Sequence, residues 1–132
     1  MTGNRKGISA QAQERLEQFL STHDITEAHH GDCLGADTEF HVAVASHEIS
    51  IVIHPPTNPS MRAWNKGPQT TIGPAKDYLV RNRAIVRASD VLIAFPGTMH
   101  EVLRSGTWST IRNARKLKKI VYIIYPDGTV ER

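Results

Sequence analysis

Three stretches of the chain pair glycine with small or polar residues in a way that suits anion chemistry: Thr2-Gly3-Asn4-Arg5-Lys6-Gly7, Gly31-Asp32-Cys33-Leu34-Gly35-Ala36-Asp37 and Ser105-Gly106-Thr107. Glycine lets the backbone approach a bound group closely, and a helix start offers N–H groups that lack an intrahelical acceptor, so each stretch is a candidate cradle for phosphate oxygens. A single glycine pair is equally at home in a tight turn, so the signal lies in three such loops in one short chain. Arg81 and Arg83 add guanidinium groups, whose forked donors match phosphate geometry. Arg81 is offset from the stripe formed by Tyr78, Asn82, Ile85 and Val86, which leaves two readings: a phosphate contact beside Asn82, or a solvated surface arginine.

Other residue types point to other chemistry. Asp37 suits a ribose contact or an acid–base role, but an acid in a helix's first turn also complements the macrodipole. Asp32 suits a ligand contact or simple turn formation. Cys33 is the sole cysteine, which excludes an internal disulfide and reads most simply as a packing residue. His29, His30, Asp32, Cys33 and His41 lack compact tetrahedral metal-ligand spacing, and neighbouring strand residues point to opposite faces, so no metal is expected. Trp64 sits in a loop rich in proline and glycine and suits either a stacking lid or a plug in its own domain. Arg112, Arg115, Lys116, Lys118 and Lys119 form the densest cationic cluster. Cations near a helix C-terminus complement its dipole, and no aromatics interleave with these, so nucleic acid is not the expected partner.

Regular elements must position these groups. Ser9 caps a helix to Thr22 with Ala12, Leu16, Phe19 and Leu20 on one face, and Ala36, Phe40, Ala43 and Val44 define a second helix. Ile25–His30, Ile49–His54, Val91–Phe95 and Ile120–Tyr125 read as strands, the second closed by Pro55-Pro56. Pro74 suits the first turn of a third helix reaching Ala88, and Ser105 caps a fourth carrying Thr107, Ile111, Ala114 and Leu117. The stretch from Asn58 to Gly73 reads as a long functional loop that closes over a ligand. Strands apolar throughout need cover on both faces. The expected fold is therefore a Rossmann-like, doubly wound three-layer α/β/α sandwich with a mostly parallel sheet and a first strand that is very short or missing.

The chain has 132 residues, 39% of them apolar and 22% charged, which fits one domain spanning 1–132 with a packed core. Sixteen Lys and Arg against thirteen Asp and Glu give a net charge of +3, a mild bias toward anionic ligands. No apolar run approaches the roughly 18 residues of a membrane span, and Met1 leads directly into polar residues, so a cytoplasmic protein without membrane association is expected.

Taken in order and spacing, Thr2–Gly7, His30–Asp37, His54-Pro55-Pro56, Arg81-Asn82-Arg83 and Ser105-Gly106-Thr107-Trp108 resemble a small stand-alone member of the SLOG superfamily, over almost the whole chain. The resemblance implies a Rossmann-like fold and a nucleotide or nucleotide-derived ligand. Its site would comprise Gly3, Asn4, Arg5, Gly31, Asp32, Gly35, Ala36, Asp37, Pro55, Arg81, Asn82, Ser105, Gly106 and Thr107. The superfamily's hydrolase branch carries a Pro-Gly-Gly-x-Gly-Thr-x-x-Glu signature with a catalytic glutamate. Here Gly106-Thr107 is followed three positions on by Thr110, and threonine cannot supply a carboxylate's charge to an oxocarbenium-like centre. The expectation is thus a binding or sensor module without a cofactor, assembling as an isologous dimer. The alternatives are a nucleoside 5'-monophosphate phosphoribohydrolase using Glu101 or Asp37, and a DNA-binding protein.

Overall fold

A computed structural model describes residues 1–132. Four helices are present: α1 (Ala10–Thr22), α2 (Ala36–Ser46), α3 (Tyr78–Ala88) and α4 (Gly106–Lys116). They alternate with seven strands: β1 (Thr2–Gly3), β2 (Glu27–His30), β3 (Ser50–Ile53), β4 (Thr70–Ile72), β5 (Val91–Phe95), β6 (Ile120–Ile124) and β7 (Val130–Glu131). The first strand is two residues long, a stub as the sequence suggests.

Hydrogen-bonded ladders join β4, β3 and β2 on one side and β1, β5, β6 and β7 on the other. All pairings are parallel except β6 with β7. At the seam the Met1 ammonium donates to the His29 carbonyl at 2.7 Å, which lays the short β1 beside β2. Burial pushes that ammonium's pKa down to about 6, with Asp37 opposing the shift.

Alternation along β5 divides the core. Ile93 and Phe95 pack on one face with Leu16 and Leu20 of α1 and Phe40 and Val44 of α2. Leu92 and Ala94 face the other way, against Val86 of α3 and Trp108, Ile111 and Ala114 of α4. Helices thus cover both faces of the sheet, giving the Rossmann-like three-layer α/β/α sandwich. Trp108 is a core residue, and its indole N–H donates to Thr98 Oγ1 at 3.2 Å. No helix is long and apolar enough to cross a membrane.

Two expectations change. Pro74 lies outside α3, which starts at Tyr78 after Asp77; the intervening backbone instead runs beside the β3 exit, with the Lys76 N–H donating to the Pro55 carbonyl at 3.1 Å. The stretch from Asn58 to Gly73 contains a short 3-10 helix (Pro59–Met61) and strand β4, so it extends the sheet rather than hanging free as a lid.

Candidate functional site

Chain order turns back across the sheet at β1: β2 and β3 build outward on one side, then α3 returns the chain to β5 on the other. In open α/β sheets a crevice opens at such a reversal, beyond the carboxyl ends of the strands. Here that crevice is a cavity of about 630 Å³ between the loop after β1 and the start of α4. Gly3, Asn4 and Arg5 form one side, and Ser105, Gly106 and Thr107 form the other. Six of the sequence-predicted ligand residues therefore meet in one place.

The start of α4 is open to an anion. Ser105 caps the helix, its Oγ accepting the Trp108 N–H at 3.3 Å, while the Gly106 and Thr107 N–H groups have no acceptor within the protein. No acid occupies the helix's first turn. Arg5, Arg104 and Arg112 line the cavity and no Asp or Glu does, so helix dipole and guanidinium charges act in the same direction. Exposed Leu79 and Leu103 and half-exposed Tyr78 supply an apolar wall. A Cβ on Gly106 would lie 2.1 Å from the Tyr78 hydroxyl, so a larger residue there displaces the end of that ring.

The second glycine loop is built differently. Gly31 and Cys33 donate their N–H groups to Asp37 Oδ2 at 3.1 and 3.2 Å, and Asp32 N–H donates to His30 Nδ1 at 3.0 Å. Leu34 N–H goes to the Met61 carbonyl at 2.9 Å, and Ala36 N–H to the Asn4 carbonyl at 3.0 Å. The donors that the sequence offers to phosphate are thus largely used inside the protein. Asp37 is buried, and desolvation raises its pKa against the opposing pull of those N–H groups and of Met1 and Arg81. Glu39 accepts Ile8 N–H at 3.0 Å, so both acids in the first turn of α2 act as fasteners for loops.

Arg81 is neither solvated nor a wall of the cavity. It is 2% exposed, and its guanidinium donates to the Gly31 carbonyl, to the His54 carbonyl at 3.2 Å and to Asn82 Oδ1 at 2.8 Å. It ties the exits of β2 and β3 to α3. A Cβ on Gly31 would sit 2.3 Å from its Nη1, so glycine is there to admit the arginine. Cys33 lies half-buried against Arg81, and burial, followed by Asp37, raises its thiol pKa, the reverse of a reactive cysteine. Pro55 is buried and lies at the β3 exit, away from the cavity lining.

Asp32 is fully buried and clamps the long loop. Its Oδ2 pairs with Arg62 Nε at 2.9 Å, and its Oδ1 accepts the backbone and side-chain N–H groups of Asn65 at 2.9 and 2.8 Å. A histidine chain holds the next residue. His30 Nδ1 already accepts Asp32 N–H, so its proton is on Nε2 and donates to His41 Nδ1 at 2.8 Å; His41 Nε2–H then donates to the Lys66 carbonyl at 3.2 Å. Burial, then the neighbouring His41, holds His30 well below the usual histidine pKa, which keeps the His30 ring neutral. Exposed Trp64 stacks under Arg62, 3.9 Å from its guanidinium carbon, on this fastened segment.

Glu101 is exposed outside the cavity lining, where its carboxylate accepts from Arg112 Nη1 at 2.7 Å. Sequence reasoning missed the wall residues Tyr78, Leu79 and Leu103 and the cationic contribution of Arg104 and Arg112 to this cavity. Leu103 is 81% exposed beside the glycine-led helix start, an exposure that residue type and spacing do not encode. Neither protein-family models, curated proteins nor solved structures match the chain.

Proposed function

We propose that this chain is a nucleotide-binding module of SLOG type, holding a nucleotide phosphate at the start of α4. The observation that carries this reading is the cavity of about 630 Å³ in which Gly106 and Thr107, whose N–H groups have no acceptor in the protein, line the same space as Arg5 and Arg104, neither of them in a salt bridge, while Arg112 is shared with Glu101 and the Leu103 carbonyl at its edge. Its volume falls within the range of small-molecule sites. Phosphate oxygens accept from the two N–H groups and from the guanidinium forks, while Tyr78, Leu79 and Leu103 provide a face for a base.

Binding without hydrolysis is the favoured activity. Glu101 is held by Arg112, Asp37 Oδ2 is occupied by backbone N–H groups, and Thr110 is buried with its hydroxyl donating to the Gly106 carbonyl at 2.9 Å. None of these presents a free carboxylate to a glycosidic carbon in the cavity. Calorimetric titration with the four common nucleoside 5'-monophosphates, combined with chromatography of the mixtures, tests both parts. Saturable binding with every nucleotide recovered intact supports the reading. Absence of binding by all four, or release of free base that stops in Glu101→Gln, overturns it.

A further inference from the structure

The groove continues beyond the first cavity. A second, of about 260 Å³, opens between α3 and α4, and Leu79, Ser109 and Arg112 line both, so the two share a wall. Arg83 and Lys116 contribute cations to the second cavity beside Arg112, which is paired with Glu101, and Asn82, Asn113 and Ser109 contribute neutral polar groups. No carboxylate lines it. Arg83 and Lys116 are exposed, and neither takes part in a salt bridge. Asn82 already accepts Arg81 Nε–H on its Oδ1, and every fully buried side-chain polar atom in the protein has a partner. Its unpaired Nδ2 is therefore reached by solvent and available to donate.

The helix sets the spacing between the two cavities. Six residues separate Gly106 from Arg112, about 9 Å along the axis of α4, and ten separate Gly106 from Lys116, about 15 Å. Directly bonded phosphates are too close together to use both ends of such a groove. Phosphates on either side of one sugar are separated by the sugar itself and reach from one cavity into the next. The cationic strip is also short: Arg115, on the next face of α4, is turned to Glu131 at 3.0 Å, and Tyr78 is the sole aromatic along either cavity. That suits a small ligand better than a long strand, which needs repeated stacking platforms.

We infer that the second cavity seats a second phosphate, and that the ligand class is a nucleotide phosphorylated on both sides of a sugar. A nucleoside 3',5'-bisphosphate and a 5'-phosphorylated dinucleotide share this chemistry. The inference rests on the nucleotide reading of the first cavity and deepens it.

The probes are the 5'-monophosphate and the 3',5'-bisphosphate of each common nucleoside, together with the 5'-phosphorylated dinucleotide and longer oligonucleotides of the best-bound base, all titrated calorimetrically at one salt concentration. A second charge-assisted phosphate contact makes the bisphosphate, the dinucleotide or both bind about tenfold or more tightly than the monophosphate. The arm with the larger gain identifies the source of the second phosphate. Arg83→Gln combined with Lys116→Gln brings the bisphosphate-to-monophosphate ratio to within about twofold of one, whereas Arg87→Gln, a change to an exposed α3 cation outside both cavities, leaves the ratio as it was. Monophosphate binding with no gain from the second phosphate overturns this inference and leaves the nucleotide reading standing. A gain that survives the double substitution overturns the placement. Affinity that continues to climb with oligonucleotide length overturns the small-ligand class in favour of single-stranded nucleic acid, and failure of every probe removes both readings.

Discussion

The starts of α2 and α4 carry similar sequence signals and have opposite local electrostatics. Each follows a parallel strand and opens with glycine and small residues. At α2, Asp37 and Glu39 occupy the first turn and accept N–H groups from neighbouring loops, so the positive end of the helix is answered from within. At α4 the first turn holds no acid, Ser105 satisfies one N–H, and two others face a cavity lined with arginine. A glycine-led helix start is thus a joint when a carboxylate from its own first turn folds back on it, and a receptor when none does.

Gly35→Val strikes the α2 joint hardest. Gly35 has φ of +96°, and a Cβ there would lie 2.3 Å from the Arg5 carbonyl oxygen, with backbone rather than a flexible side chain in the way. Chemical denaturation is expected to show a loss of about 3 kcal/mol or more, so reduced ligand binding in this variant reports folding. A loss below about 1 kcal/mol would show that the loop after β1 yields easily and would weaken the contrast.

Arg81→Ala sharpens the same contrast with Arg104→Ala. Removing Arg81 leaves the carbonyls of Gly31 and His54 without their buried donor, for an expected cost of about 2–4 kcal/mol in stability. Arg104 is exposed on the cavity, so its removal is expected to change stability by less than about 0.5 kcal/mol while weakening nucleoside monophosphate binding roughly tenfold. Urea titration and calorimetry on both variants check the pair, and the opposite pattern would reassign the phosphate to the α2 side.

Acid also distinguishes the regions. His30 is held well below its ordinary pKa by burial and then by His41, and His54 is pushed down to about 4 by burial and then by His29. Each takes up protons in the unfolded chain at a higher pH than in the folded one, so their contributions lower stability as pH falls below about 6.5; for His54 the decline levels off below about 4. Asp37, its pKa raised by burial, works in the other direction below the pH at which its folded form protonates. Thermal unfolding is expected to occur at least about 4 °C lower at pH 5 than at pH 7, with His41→Gln altering that interval and Arg104→Ala leaving it unchanged. Equal melting temperatures at the two pH values would remove the histidine chain as a stability element.

The smallest effect is expected at Glu101. Its pairing with Arg112 is solvent-exposed on both sides, so Glu101→Gln is expected to change stability by less than about 1 kcal/mol. Freed of that partner, Arg112 is expected to raise monophosphate affinity by about twofold to threefold, read by calorimetry. Weakened binding instead would place the carboxylate among the ligand contacts.

The fold was legible because its signals are local. Ser9 and Ser105 cap the helices they were expected to cap, and Val91–Phe95 is a strand from end to end, since capping hydroxyls and unbroken apolar runs act over a few residues. Strand β4 was hidden because Thr70–Ile72, though β-branched throughout, is three residues long between Gly67-Pro68 and Gly73-Pro74, and becomes a strand only through its partner β3. The start of α3 was misplaced for a related reason: Pro74 satisfies helix-start chemistry, but the Pro55 carbonyl captures the Lys76 N–H and delays the helix to Tyr78.

The site divides along the same line. Sequence alone identified Gly3, Asn4, Arg5, Ser105, Gly106 and Thr107 as candidates, because glycine and a capping serine at the ends of apolar strands have a local physical meaning. It also supplied Asp37, Arg81 and Asp32, with equal merit by residue type. Only the tertiary structure decided that Asp37 Oδ2 points back to Gly31 and Cys33, that Arg81 lies beneath the β2 exit and that Asp32 holds Arg62 and Asn65. A charged side chain carries the same chemistry whether it faces a ligand or its own backbone, and which of these it faces depends on the packing of residues distant in the chain.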